Sequence, residues 1–236
     1  MNSMGSPDGD DRRLLLVRGV PADLLLVRLA RPTLIVSLLM LAMAPLLIVD
    51  SYSVIEHTLS ESGAQGIEGA WVLRTGVLLT SFSVLAMALT ARSVWGRAAR
   101  WWLRIYALAL VMLVVFPEAP WDGSFHNKIV ASIHTVFGAT GAIAFIFGVM
   151  AVSASRPRSQ MRARVFDWVA IAAVALIPQV TLLVTTDGLW QRFMVVLGYV
   201  WFISEASRVA KPPPGSRPSL RAMPEASRPG NGPPQR

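Results

Sequence analysis

The sequence predicts an all-α fold, a six-helix transmembrane bundle with both termini in the cytoplasm. Three observations predict it. The 236 residues are 53% hydrophobic and 15% charged, whereas a soluble domain averages about 25% charged. The apolar residues gather into six long runs with the charges between them, the mark of membrane-spanning helices. The cations alternate between successive loops, and 19 of the 22 Lys and Arg fall on one side.

The six runs are Thr33–Val49, Ala70–Thr90, Leu103–Phe116, Ile129–Ala154, Val165–Val184 and Leu189–Val209. Crossing the hydrocarbon takes about 20 helical residues. The third run is short, and Trp101, Trp102 and Arg104 can extend it, because an arginine near a helix end reaches the headgroups. Thr33–Leu41 followed by Ala42, Met43 and Ala44 imitates a signal peptide. Pro45 would follow the cut and the apolar run continues to Val49, so the segment reads as an uncleaved first span.

Residues 1–30 form an N-terminal arm that is predicted to be partly disordered. In it LLLVR occurs twice, at 14–18 and 24–28, a pattern that fits a short basic interfacial helix. The membrane domain spans 31–210. The tail from 211 to 236 holds eight prolines and is predicted to be disordered, since it has nothing to bury.

Of the cations, only Arg74, Lys128 and Arg192 fall on the other side. By the positive-inside rule that side is extracytoplasmic and the location is the cell membrane. The +8 net charge therefore reflects inner loops and implies no nucleic-acid partner. The expected surroundings are the lipid bilayer, with a small or lipidic ligand or a membrane-protein partner as further possibilities.

The absence of cysteine excludes disulfides, thiolate metal sites and cysteine nucleophiles. There is no G-x-S-x-G, no H-E-x-x-H and no phosphate-binding glycine loop. Three histidines are too few for two haems with histidine axial pairs. No catalytic residue, metal or cofactor is assigned from the sequence.

The candidate site residues lie on the outer side. The first outer loop offers Glu56, His57, Ser60, Glu61 and Glu68; the second offers Glu118, Asp122 and His126; the third offers Asp187. In a helical turn His57 and Glu61 would share a face at i,i+4, and a carboxylate would orient the imidazole. The structural alternative is a polar loop that caps helix ends. His126 and His134 are separated by about 12 Å of helical rise and do not fit one metal unless the helix starts after His126. His134 lies inside the fourth span, where an ionisable residue usually faces the bundle interior. Gly138, Gly141 and Ala142 follow it, a small-residue stripe that admits a neighbouring helix. His134 serves either a site or an interhelical hydrogen bond.

Arg74 and Arg192 sit one turn inside their spans and need anions. Glu56, Glu61, Glu68 and Asp187 are the expected partners, with Glu61 or Asp187 assigned to Arg192. Pro178 with Gln179 predicts a kink with a polar side chain inside the fifth span. His57 is expected to fold toward His134, with Glu61 orienting one imidazole and Ser60 and His126 lining the entrance. Such a cluster would hold zinc or move a proton. If it does not form, the first loop is a structural lid.

TLSESGAQG in the first outer loop, RIYALAL and FPEAPWDGSFHNKIVASIH across the third and fourth spans, and GLWQRFMVVLGYVWF in the sixth resemble a bacterial membrane family catalogued as domain of unknown function 998. The resemblance covers about residues 30–208. It implies a six-helix integral membrane protein and brings no activity. Its pattern falls on Ser60, Glu61, Gly63, His126, His134 and Arg192. Three functional readings follow: a protein that binds or moves a small or lipidic ligand through an outward-facing polar pocket, a membrane-embedded metal-dependent hydrolase, and an accessory subunit packed on partner membrane proteins.

Overall fold

The computed structural model describes residues 16–17, 20–48, 52–181 and 186–210, with side chains for 25–48, 52–178 and 186–210. The expectations for residues 1–11, the tail and the side chain of Gln179 lie outside the described residues. A two-residue antiparallel pairing joins β1 (Leu16–Val17) to β2 (Val20–Pro21). Six helices follow: α1 (Ala22–Met43), α2 (Ala70–Thr90), α3 (Arg97–Val115), α4 (Lys128–Ser155), α5 (Met161–Thr181) and α6 (Asp187–Val209).

Two helix starts differ most from the sequence reading, those of α1 and α3. α1 begins at Ala22 rather than Thr33 and runs through Pro32. The second LLLVR is thus part of the first long helix and not a separate interfacial one. Arg28, Arg31 and Pro32 are all exposed, so this basic turn extends the helix without burying charge. The apolar stretch continues from α1 through a 3₁₀ turn at Ala44–Leu47. α3 takes in Arg97, Arg100 and the two tryptophans Trp101 and Trp102, which lengthens the short third run.

α1, extended to Leu47, α2, α3 and α4 are each long and apolar enough to cross a membrane. α5 and α6 fall short on composition, since α5 carries Arg162, Arg164 and Asp167 and α6 carries Asp187, Arg192, Glu205 and Arg208. Each helix packs on the next in chain order, and α6 returns to pack on α1. The six therefore form a closed ring.

Small residues set the closest approach. A Cβ at Gly148 of α4 would meet the Leu103 side chain of α3 at 2.8 Å, so glycine lets these helices touch. Gly141 makes ordinary contact with Ala109 and Tyr106. Gly138 does not follow the expectation of a packed stripe, because a Cβ there would meet nothing within 4 Å.

One end of the ring is pinned by buried charge. Arg156, the C-cap of α4, donates to Asp167 of α5 at 2.6 and 2.8 Å and to Glu205 of α6 at 2.6 Å. Trp201 donates to Asp167 and Trp95 to Glu205, both at 2.8 Å. Arg208 closes on Glu205 at 2.5–3.2 Å. Asp167 is fully buried and Glu205 is 2% exposed. Two carboxylates meet two guanidiniums and two indole N–H groups, so the cluster is neutral and well bonded. Burial would lower the pKa of the Arg156 guanidinium, and the hydrogen bonds and charges of Asp167 and Glu205 outweigh it, so the net shift is upward.

Candidate functional site: a lidded cavity

Inside the ring lies a cavity of about 580 Å³ to which all six helices contribute. Its size is that of a small-ligand pocket. Leucine, valine and glycine are the commonest residues of the walls. Tyr106, Phe145 and Phe202 pack against one another deep in it, with ring centroids 5.5–5.7 Å apart. Also deep, Ser37, Thr80 and Tyr199 share hydroxyl bonds. Ser37 Oγ lies 2.7 Å from Thr80 Oγ1 and 2.6 Å from the Tyr199 hydroxyl, which also bonds Thr80. Gly138 and Gly198 keep the interior open, since a Cβ on either would meet no atom within 4 Å.

The charged groups gather at the other end, under the first loop. They are Arg74, Glu118 and His134, with Ser60 and Gln191 beside them. The loop from Tyr52 to Gly69 closes this end. Within it the Glu61 carboxylate accepts from Thr58 N at 2.5 Å and Thr58 Oγ1 at 3.0 Å. That bond folds the chain into the 3₁₀ turn Ser60–Gly63.

The loop is fastened on three sides. Arg74 of α2 donates from Nε to Gly63 O at 3.1 Å and from Nη2 to Ala64 O at 2.9 Å. Arg192 of α6 donates from Nη1 to Val54 O and His57 O at 2.8 and 2.9 Å, and from Nη2 to the Tyr52 hydroxyl. Gln191 Oε1 accepts from Leu59 N at 2.5 Å. Gln65 ties the loop to the segment between α3 and α4, bonding Pro117 O, Asn127 O and Asn127 N at 2.9–3.2 Å. The first amides of α6 also join, with Gly188 N on Glu56 O and Leu189 N on Ile55 O. Those amides would otherwise be unsatisfied at a helix N-terminus. Burial pushes the Tyr52 phenol above its ordinary pKa, against the pull of Arg192. It keeps its proton and donates to Thr58 O at 2.8 Å.

The predicted arginine pairing is corrected by this geometry. Among the described residues, neither Arg74 nor Arg192 forms an ion pair with a carboxylate. Both donate instead to backbone carbonyls, and Arg192 also to the Tyr52 phenol; each carbonyl has lone pairs to spare. Glu56 and Glu68 are exposed. Asp187 has one buried carboxylate oxygen with no partner among the described residues.

The predicted histidine cluster does not assemble. His57 packs between Tyr52 and Trp121, with ring centroids 5.6 and 5.8 Å away, and it does not line the cavity. His126 lies with Nδ1 2.9 Å from Ser124 O, in the loop before α4. Of the predicted residues, Ser60, Gly63, His134 and Arg74 line the cavity, while His57, Glu61, His126 and Arg192 do not. No group of three His, Cys, Asp or Glu is placed to hold a metal among the described residues.

His134 finds a different partner. Its Nε2 is 3.3 Å from Glu118 Oε2 and its Nδ1 is 2.8 Å from Phe116 O. The imidazole therefore bridges α4 to the chain leaving α3. Sequence reasoning named Glu118 only as one acid of a loop, and it missed Tyr199, Thr80, Gln191 and the Arg156 cluster. Asp167 and Glu205 carried a readable signal, because a carboxylate inside an apolar run is a site by default.

Residues 30–207 match the family described as Protein of unknown function (DUF998). No curated protein and no solved structure matches the chain.

Proposed function

We propose, for a chain that belongs to the DUF998 family, that it binds or carries a small amphiphilic or lipidic ligand in the cavity at the centre of a six-span bundle. The observation that carries this reading is the cavity itself, with long apolar walls, its charged groups confined to the lidded end and the mutually bonded hydroxyls of Thr80 and Tyr199 deep inside. An amphiphile has the same division.

Six spans, rather than four, are supported by the arrangement of α5 and α6. Their acids Asp167 and Glu205 turn inward and are buried, while Val165, Trp168, Leu176, Phe193, Val196 and Val200 are exposed. That inside-out pattern suits lipid. The 19 cations against three support cytoplasmic termini in the cell membrane, with the lid on the outer face. The hydrolase reading has no ligand set among the described residues.

Native mass spectrometry with n-dodecanol tests the proposal. The protein, released from mild detergent, should retain about one dodecanol per chain. A Cβ at Gly198 would meet no atom within 4 Å and the residue lines the cavity, so Gly198→Phe should fold, fill the cavity and lose that retention. Undiminished retention by Gly198→Phe, with its melting temperature unchanged, places the bound chain elsewhere and removes the proposal.

A further inference from the structure

Three ionisable side chains carry the charge in the cavity wall: Arg74, Glu118 and His134. The Phe116 carbonyl beside Nδ1 of His134 has no hydrogen to give, so Nδ1 must carry one and donate it. Nε2 then faces a carboxylate oxygen at 3.3 Å. Glu118 therefore faces His134, and no ion pair joins it to Arg74 among the described residues.

Arg74 is the cation of the lining, and it has no ion-pair partner among the described residues. Arginine keeps its proton in proteins. Its Nε and Nη2 rest on neutral carbonyls, and its Nη1 makes no hydrogen bond among the described residues. One peptide group links the two charge systems: Ala64 O accepts from Arg74 while Gln65 N donates to Glu118 O at 3.0 Å. Arg74 and the His134–Glu118 pair therefore share the lidded end. A partly desolvated cation without a counter-ion is costly, and an anion beside Nη1 removes that cost.

We infer that the ligand is a single-chain amphiphile with an anionic head, a carboxylate or a phosphate monoester, held against Arg74. Its chain runs along the apolar wall toward Phe145 and Phe202. The inference rests on the amphiphile reading above and adds the sign and chemistry of the head. Ser60 and Gln191, at the same end, supply neutral hydrogen-bonding groups beside it.

The test compares retention of four probes by native mass spectrometry: dodecanoate, dodecyl phosphate, n-dodecanol and dodecyltrimethylammonium. One charge-assisted hydrogen bond is worth about 10–100-fold in affinity. The wild type should favour the two anions over dodecanol by at least about tenfold and take up the ammonium least. The ratio of dodecanoate to dodecyl phosphate separates a fatty-acid head from a phosphate head. Arg74→Gln should bring the anions down to the dodecanol level, and Arg74→Lys should keep the preference. Because Arg74 also fastens the lid, Ser60→Asp provides a variant that leaves both carbonyl bonds in place. Its added carboxylate should cancel the preference as well. Equal retention of anions and dodecanol by the wild type overturns the inference and leaves the amphiphile reading intact. So does an anion preference that survives in Arg74→Gln or, if that variant does not fold, in Ser60→Asp. Retention of none of the four probes by the wild type removes both.

Discussion

Replacing Arg156 with methionine tests the buried charge cluster most directly. The side chain keeps an unbranched apolar stem but is shorter, and it loses three hydrogen bonds of 2.6–2.8 Å. Glu205 still has Trp95 and Arg208. Asp167, fully buried, is left with the single N–H of Trp201. The cost is therefore that of one stranded carboxylate, about 3–5 kcal/mol. For a chain of this length each kcal/mol moves the melting temperature by about 2–4 °C, so Arg156→Met should melt on the order of 10 °C lower. Tryptophan emission during thermal melting in detergent is the assay, with Trp95 and Trp201 inside the cluster as reporters. Adding Asp167→Asn to Arg156→Met removes the stranded charge and should restore about half of the loss or more. Two results would refute the reasoning. One is a shift for Arg156→Met no larger than that of Arg158→Ala on the exposed loop. The other is a double variant that melts no higher than the single one.

Three further outcomes are expected. Gly188→Ala would drive a methyl into the carbonyls of His57 and Val54, so amide exchange of residues 52–66 should speed up; unchanged protection would mean that the loop is not sealed there. Arg192→Ala should destabilise the detergent-solubilised protein more than Arg158→Ala by about 1–3 kcal/mol, and Arg192→Lys should recover only part of it, because an ammonium lacks the planar fork. Equal melting of all three would remove Arg192 from the fastening of the lid. For topology, Ser62 is buried, so the exposed Ser124 is the better outer reporter. Ser124→Cys should react with an impermeant thiol reagent on intact cells and Ser159→Cys should not. The opposite labelling inverts the bundle, and labelling of both disproves the six-span count.

The helices were legible because apolar periodicity and cation placement are written in side chains. α2 matches its sequence reading at both ends, Ala70 and Thr90. α1 was misread at its start because Arg28, Arg31 and Pro32 resemble a boundary. A proline removes one backbone bond, yet the helix continues through it. The site was less legible for a specific reason. Arg74 and Arg192 were matched to carboxylates, the only anions a sequence displays. Their actual partners are the carbonyls of Gly63, Ala64, Val54 and His57, which every residue possesses and no sequence marks. His134 was readable as an inward residue, but its partnership with Glu118 needed the path of the chain between Phe116 and α4. A pocket was expected, but not its long apolar interior, since its room comes from Gly138 and Gly198, which read equally well as sites of close helix packing.

The way the lid is tied down has a consequence for the surroundings it tolerates. A cover latched by carboxylates opens when acid protonates them. Here the ties to α2, α6 and the segment after α3 run from Arg74, Arg192, Gln191 and Gln65 to amide groups and one phenol. None of these acceptors gains a proton in mildly acidic water. Acid strong enough to release a carboxylate latch therefore leaves these ties in place, and the fastening of the loop is insensitive to a swing from neutral to sour.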